Sequence, residues 1–167
     1  MLPTCATITN MKISLLTVGA TRTDYLQKGI DLYLGRLRHY LPVELVALPD
    51  IRNTKALSPE QQKEREGEQI LAWVQPSDKV VLLDERGREF TSREFATELQ
   101  RYMASGVRRT VFVVGGPYGF SEAVYSRADG KVSFSRMTFS HEMIRLFFVE
   151  QVYRAMTILR NEPYHHD

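Results

Sequence analysis

A chain of 167 residues supports one domain with a proper core, and 43% hydrophobic with 25% charged residues is the balance of an ordinary folded protein. A net charge of +2 permits an RNA partner without demanding one, so any basic surface must be local. The single cysteine, Cys5, excludes an internal disulfide and a zinc cluster, the histidines give no metal-ligand pattern, and no apolar run reaches membrane-spanning length.

Residues 1–10 are polar and non-periodic and are read as an unstructured extension, with one domain over 11–167. Lys12 to Val18 is the first strand; its short, Thr-interrupted apolar run followed by charges does not make a signal peptide, and the cytoplasm is the expected compartment. Thr23 is placed to cap a helix carrying Leu26, Ile30, Tyr33, Leu34, Leu37 and Leu41 at helical spacing, ended by Pro42. Val43 to Leu48 is a second strand, followed by a polar loop over 49–57 with Arg52 and Lys55. Ser58-Pro59-Glu60-Gln61 is a capping box with proline in the first turn, opening a helix to about Val74. Lys79 to Leu83 is a third strand, ending in Asp84-Glu85-Arg86-Gly87. Thr91-Ser92-Arg93-Glu94 opens a further helix, with Gly106 beyond its end.

Two strand-loop-helix passages follow. Thr110 to Val114 is a fourth strand that breaks at Gly115-Gly116-Pro117-Tyr118-Gly119, with a helix starting at Ser121-Glu122. Val132 to Ser135 is a fifth, running into Arg136-Met137-Thr138-Phe139-Ser140-His141 and a helix to Arg160. Strand and helix alternate five times, which predicts an α/β fold with a mostly parallel sheet and helices on both faces. In such a sheet the loops share the carboxyl edge where ligands bind, and the glycine loop lets a ligand lie against bare backbone. The last helix is apolar nearly all round, which predicts burial of more than one face and a second subunit.

Each candidate group also has a plain reading. The glycine loop has neither the lysine of a P-loop nor a dinucleotide fingerprint, so alone it is a turn; opposite a second unusual loop it becomes a site. Asp84 and Glu85 could meet ribose hydroxyls or sit in a solvated turn, and the backbone of Leu83 is the better ligand contact. His141 reads equally as a helix-end residue or as a functional group. Arg145 and Arg154 lie on an apolar helix, where a subunit-interface salt bridge would explain both. Tyr164-His165-His166 is either a loose tail or an aromatic-histidine segment returning to a site.

Six segments in order carry a resemblance over residues 11–167: Val18-Gly19; Glu66-Gly67-Glu68-Gln69; Leu83-Asp84; Gly115-Gly116-Pro117 with Gly119; Ser133-Phe134-Ser135 with Met137-Thr138-Phe139 and His141; and Glu150-Gln151 with Tyr153-Arg154-Ala155, closing on Pro163-Tyr164-His165. The chain thus resembles the ribosomal RNA large-subunit methyltransferase H family of the SPOUT class. The resemblance implies a C-terminal trefoil knot, a homodimer, and an S-adenosyl-L-methionine site built from Leu83, Gly115, Phe134, Ser135, Arg136, Met137, Thr138 and Phe139. It implies methylation of N3 of a pseudouridine in the 23S rRNA of the assembled ribosome, without a metal. His165 would then be the base, Arg154 the group that stabilises the imidate oxygen, and Tyr164 a stacking or hydrogen-bonding partner of the substrate base. Residues 1–10 and His166, where the family tail usually carries lysine or arginine, depart from the pattern. A non-catalytic ribosome assembly factor and a SPOUT methyltransferase of another RNA are the competing expectations.

Overall fold

A computed structural model describes residues 10–167, so the expectation for the N-terminal extension lies, Asn10 aside, outside the described residues. Five strands, β1 (Lys12–Val18), β2 (Val43–Leu48), β3 (Lys79–Glu89), β4 (Arg109–Val114) and β5 (Gly130–Ser133), form one sheet in the order β2-β1-β4-β3-β5. Every pairing is parallel. Five helices connect and follow them: α1 (Asp24–Leu37), α2 (Pro59–Trp73), α3 (Ser92–Ala104), α4 (Glu122–Arg127) and α5 (Met143–Leu159). No helix among the described residues is long and apolar enough to cross a membrane.

Side chains alternate across a strand, so each strand feeds two cores. Ile13, Leu15, Val81, Phe112 and Val114 face one layer and pack with Ile30 and Leu37 of α1, Phe95 and Leu99 of α3, and Phe148 and Val152 of α5. Leu16, Val80, Leu82, Val111 and Val113 face the other and pack with Ile70 of α2 and Val124 of α4. Burial on both sides is why β3 and β4 are continuously apolar.

Both expected capping boxes form: Ser58 accepts from the Gln61 N–H and Thr91 from the Glu94 N–H, and each partner side chain reaches back. Thr23 does not cap α1 with its hydroxyl. Its N–H donates instead to Glu142 Oε1 at 3.1 Å, and its hydroxyl to Glu142 Oε2 at 3.4 Å. The carboxylate from 119 residues away outcompetes the local cap, because a charged acceptor makes the stronger bond. α1 ends at Leu37, ahead of Pro42, and the loop after β2 includes a short 3-10 turn over Thr54–Ala56.

Two further differences bear on the site. β3 continues past Leu83 to Glu89, but its pairing with β5 breaks: Val132 faces both Leu83 and Arg88, so residues 84–87 bulge outwards. Gly87 closes that bulge. A Cβ there would lie 2.7 Å from backbone atoms of Val132, so only glycine allows the approach. The strand β5 ends at Ser133 and α5 begins at Met143, which leaves 134–142 as the loop between them. The α5 helix is covered more completely within the chain than its sequence predicts. Phe148 and Met156 are buried against the sheet layer and its neighbours α1 and α3, and only Met143 and Phe147 stay 39% exposed.

Candidate active site at the carboxyl edge

Because β4, β3 and β5 are adjacent and parallel, their three C-terminal loops converge. Residues 83–86, 114–120, 132–135 and 137–141, with Ile144, line a cleft of about 620 Å³. That volume suits a small organic ligand.

The glycine loop forms one wall. The Gly119 N–H donates to the Gly116 carbonyl at 3.2 Å, closing a four-residue turn with Pro117 at its second position, and Gly119 has φ +83°. Gly116 is packed from behind by Glu66 of α2, whose Oε2 would lie 2.3 Å from an added Cβ. A Cβ on Gly115 would meet the ring of buried Phe120 at 3.1 Å. Gly115 therefore offers the cleft its backbone, and the missing side chain leaves room for Phe120 rather than directly for a ligand.

The bulged end of β3 forms the second wall. Asp84 Oδ1 accepts from the Arg86 N–H at 2.9 Å, and Oδ2 accepts from the Tyr125 hydroxyl. Burial, and after it this bond to the carboxylate, pushes the Tyr125 phenol up to about 12. The phenol stays protonated and fixes Asp84 on the cleft wall.

The loop from β5 forms the third. Ser135 accepts from the Met137 N–H at 3.0 Å. Thr138 donates to Glu85 Oε2 at 3.3 Å, joining this wall to the second. Phe134 bridges cleft and core, with its ring 5.7 Å from Phe95 and 6.2 Å from Phe148. Leu83, Gly115, Phe134, Ser135, Met137, Thr138 and Phe139 all line the cleft. Arg136 does not. Its side chain is 87% exposed and pairs with Glu89 at 3.2 Å.

The loop is anchored where α5 begins. Arg145 is 1% exposed and finds its partners within the chain. Its guanidinium donates to the carbonyls of Gly19 and His141 at 3.0 Å and to the Thr21 hydroxyl at 2.9 Å. Glu142 accepts from the N–H groups of Arg22 and Thr23. Together they tie the cleft rim to the loop after β1.

The tail is ordered but stands apart from this chain's own cleft. Tyr164 donates to Glu150 Oε1 at 3.0 Å and lies 3.3 Å from the Tyr33 hydroxyl, with its ring 4.7 Å from that of Tyr153. Burial first, then these two bonds, raises its pKa, so it remains a neutral phenol. Arg154 pairs with Glu150 at 2.6 Å within the chain, lies over the Tyr164 ring, and donates to His165 Nδ1 at 3.1 Å. A guanidinium only donates and a carboxylate only accepts. His165 Nδ1 therefore accepts, and Nε2–H donates to Asp167 at 3.0 Å. Asp167 is gripped in turn by Arg93.

A sequence model described as "Predicted SPOUT methyltransferase" matches residues 11–165. Proteins called Ribosomal RNA large subunit methyltransferase H are similar over nearly the whole chain. That of Parabacteroides distasonis is 59% identical over 157 residues, which is 94% of this chain and 100% of its own. That of Porphyromonas gingivalis is 57% identical over the same shares, and that of Christiangramia forsetii 55% over 93% and 99%.

The chain belongs to the SPOUT methyltransferase family.

In this SPOUT chain three features of the site escape a linear reading. The Glu66 contact to Gly116 joins residues 50 positions apart, although Glu66-Gly67 already stands out as a motif. The Asp84–Tyr125 bond pairs a loop acid with a tyrosine that helical spacing alone would assign to packing. Glu142 has no signal, because its partners, two backbone N–H groups and the Thr23 hydroxyl, lie 119 or 120 residues away. Among the described residues no three His, Cys, Asp or Glu side chains gather as metal ligands would.

Proposed function

We propose that this protein transfers a methyl group from S-adenosyl-L-methionine to N3 of a pseudouridine in 23S rRNA. The substrate is presented by the assembled ribosome in the cytoplasm, and the enzyme acts as a homodimer. The observation that carries the reading is the cleft itself, where three parallel-strand segments, one of them glycine-rich, converge on a chain 59% identical to a ribosomal RNA large subunit methyltransferase H.

The residues present fit the donor. Leu83 and Gly115 offer backbone groups, Asp84 is a fixed acceptor suited to ribose hydroxyls, and Val114, Phe134 and Ile144 are apolar walls. Glu85 places a carboxylate in a cleft that would hold a cation. Met137, Thr138 and Phe139 line the third wall. The bound donor supplies an already activated methyl group. What the protein must add is orientation, which can contribute several kcal/mol, and removal of the N3 proton.

The tail of the same chain does not line this cleft, which supports a partner's tail completing each site. Leu32 and Tyr25, seven residues apart on α1, and Met143 and Phe147, four apart on α5, are exposed apolar groups on adjacent helices. They suit a second copy. Arg154 would meet the substrate oxygen and Tyr164 the base plane from across that interface, with His165 as their neighbour. The C-terminal trefoil knot belongs to the same reading.

Mass spectrometry of rRNA from cells with and without the gene tests the reading. Loss of one methyl mass at a pseudouridine of 23S rRNA is expected. Unchanged rRNA, with no binding of S-adenosyl-L-methionine by calorimetry, would leave a ribosome-binding factor; methylation confined to transfer RNA would leave the fold with a different substrate.

A further inference from the structure

His165 has no free lone pair in this structure. Nδ1 accepts from Arg154 and Nε2 carries the proton donated to Asp167. To act as a base it would have to lose its Arg154 contact. The cleft contains a different imidazole, His141, the only histidine that lines it. Among the described residues no group hydrogen-bonds to its ring nitrogens, and its backbone carbonyl accepts from Arg145. That bond pins the main chain one residue before Glu142 and so fixes where the ring begins.

We propose that His141 is the proton acceptor of the reaction and touches the substrate base. The proposal rests on the methyltransferase reading above. The His141 lone pair takes the N3 proton of the pseudouridine and becomes imidazolium. The freed N3 pair forms a bond to the donor's methyl carbon, the S–C bond breaks, and its electrons leave the sulfur as a neutral thioether. Imidazolium then returns its proton to water. Charged groups surround His141 on several elements. Glu66 of α2 and Glu142 beside it are both electrostatically coupled to the ring. Asp84 and Glu85 of the β3 wall share the cleft, against Arg86 as the opposing cation and the Tyr118 phenol of the glycine loop. Glu66 is 5% exposed; burial raises its carboxyl pKa, the Gln62 bond and the His141 charge oppose that rise, and it packs behind Gly116. Glu66 is therefore a positioning residue, acting through the loop and on the charge of His141. His165 keeps a binding role.

Single-turnover methylation of undermethylated ribosomes at saturating donor, measured across pH, tests this with His141→Gln and His165→Ala. In the wild type the rate should fall as pH drops and imidazole protonates. His141→Gln should lower the rate at neutral pH roughly 10²-fold or more and abolish that inflection. His165→Ala should keep the inflection and weaken ribosome binding instead. A second measurement does not depend on activity. Nitrogen-edited NMR of the donor-free protein should show His141 ring signals that titrate, and that shift when S-adenosylhomocysteine is added. A His141→Gln variant that binds S-adenosylhomocysteine and retains rate and inflection within threefold would overturn the proposal. So would His141 signals that do not move on adding the product. A wild type that methylates no rRNA would instead sink the methyltransferase reading itself.

Discussion

Arg145 is the residue whose sequence context is most misleading. A cation on an apolar helix face reads as half of an interface salt bridge, yet it stitches backbone carbonyls inside one chain. Burial pulls its guanidinium pKa down, and the charges of Glu142 and Asp50 oppose that. Arg145→Met should destabilise the fold by roughly 1–3 kcal/mol, because the Gly19 carbonyl and the Thr21 hydroxyl lose a buried donor; chemical denaturation measures it, and an unchanged midpoint would mean that water replaces the guanidinium. The Asp78–Arg109 pair gives a pH-dependent case. Burial would push the Asp78 carboxyl up, but the Arg109 hydrogen bonds at 2.5 and 2.9 Å, the Gln75 N–H and the nearby Arg109 and Arg127 charges outweigh it. A carboxyl held below its unfolded value stabilises the fold above that value and loses the effect as pH falls through the folded one. Stability should therefore drop on acidification below about pH 4, and less steeply in Asp78→Asn, which already lacks the pair. Parallel acid limbs in the two denaturation series would count against this.

At the scale of elements, the bulge of β3 decides the second wall of the cleft. Gly87 sits on the backbone of β5, so any side chain there must push β5 away. Gly87→Ala should lower the melting temperature by several degrees and weaken S-adenosyl-L-methionine binding at least tenfold, since Asp84 and the 134–139 loop would part. A folded variant with wild-type affinity would show that the bulge does not set the wall. The loop after β2 is a different case. Arg52 and Lys55 are exposed cations with no ion pair among the described residues, in the loop after β2, which lies two strands from β4 and its glycine loop. Replacing both with glutamate should weaken ribosome binding and make it less salt-sensitive, in the manner of lost phosphate contacts, with donor affinity unchanged. An unaltered salt slope would place the RNA elsewhere.

For the whole molecule the exposed apolar groups bear on a second copy. The over-apolar sequence of α5 suggests a broad interface, but α1, α3 and the sheet already bury Phe148, Val152 and Met156. What is left exposed is a narrower patch: Tyr25 and Leu32 of α1 with Phe139, Met143 and Phe147. Sedimentation at micromolar concentration should give a dimer, burying roughly 1,200–2,000 Å². The double variant Leu32→Glu with Phe147→Glu should shift it to a folded monomer and lower methylation, because each cleft would lose the partner's tail. A monomeric wild type with full activity would require a route for the tail into its own cleft.

Sequence alone determined the elements, because what sets them is local. The two capping boxes, the Gly119 turn and the period-two and continuous apolar runs each act within a few residues, and they placed the five strands and five helices, β3 alone running six residues past its expected end. It also directed attention to the carboxyl edge as the candidate site, since alternating strands and helices leave a parallel sheet few arrangements. Tertiary structure decided everything that joins distant positions. Strand order brought β3, β4 and β5 together. Glu142 displaced the Thr23 cap from across the chain. Glu66 backed Gly116, and Gly87 met Val132. The tail that sequence motifs placed beside the site was held by Arg154, Glu150 and Asp167 away from this chain's own cleft. Such contacts depend on which surfaces the packed core leaves facing one another, and no spacing along the chain encodes that.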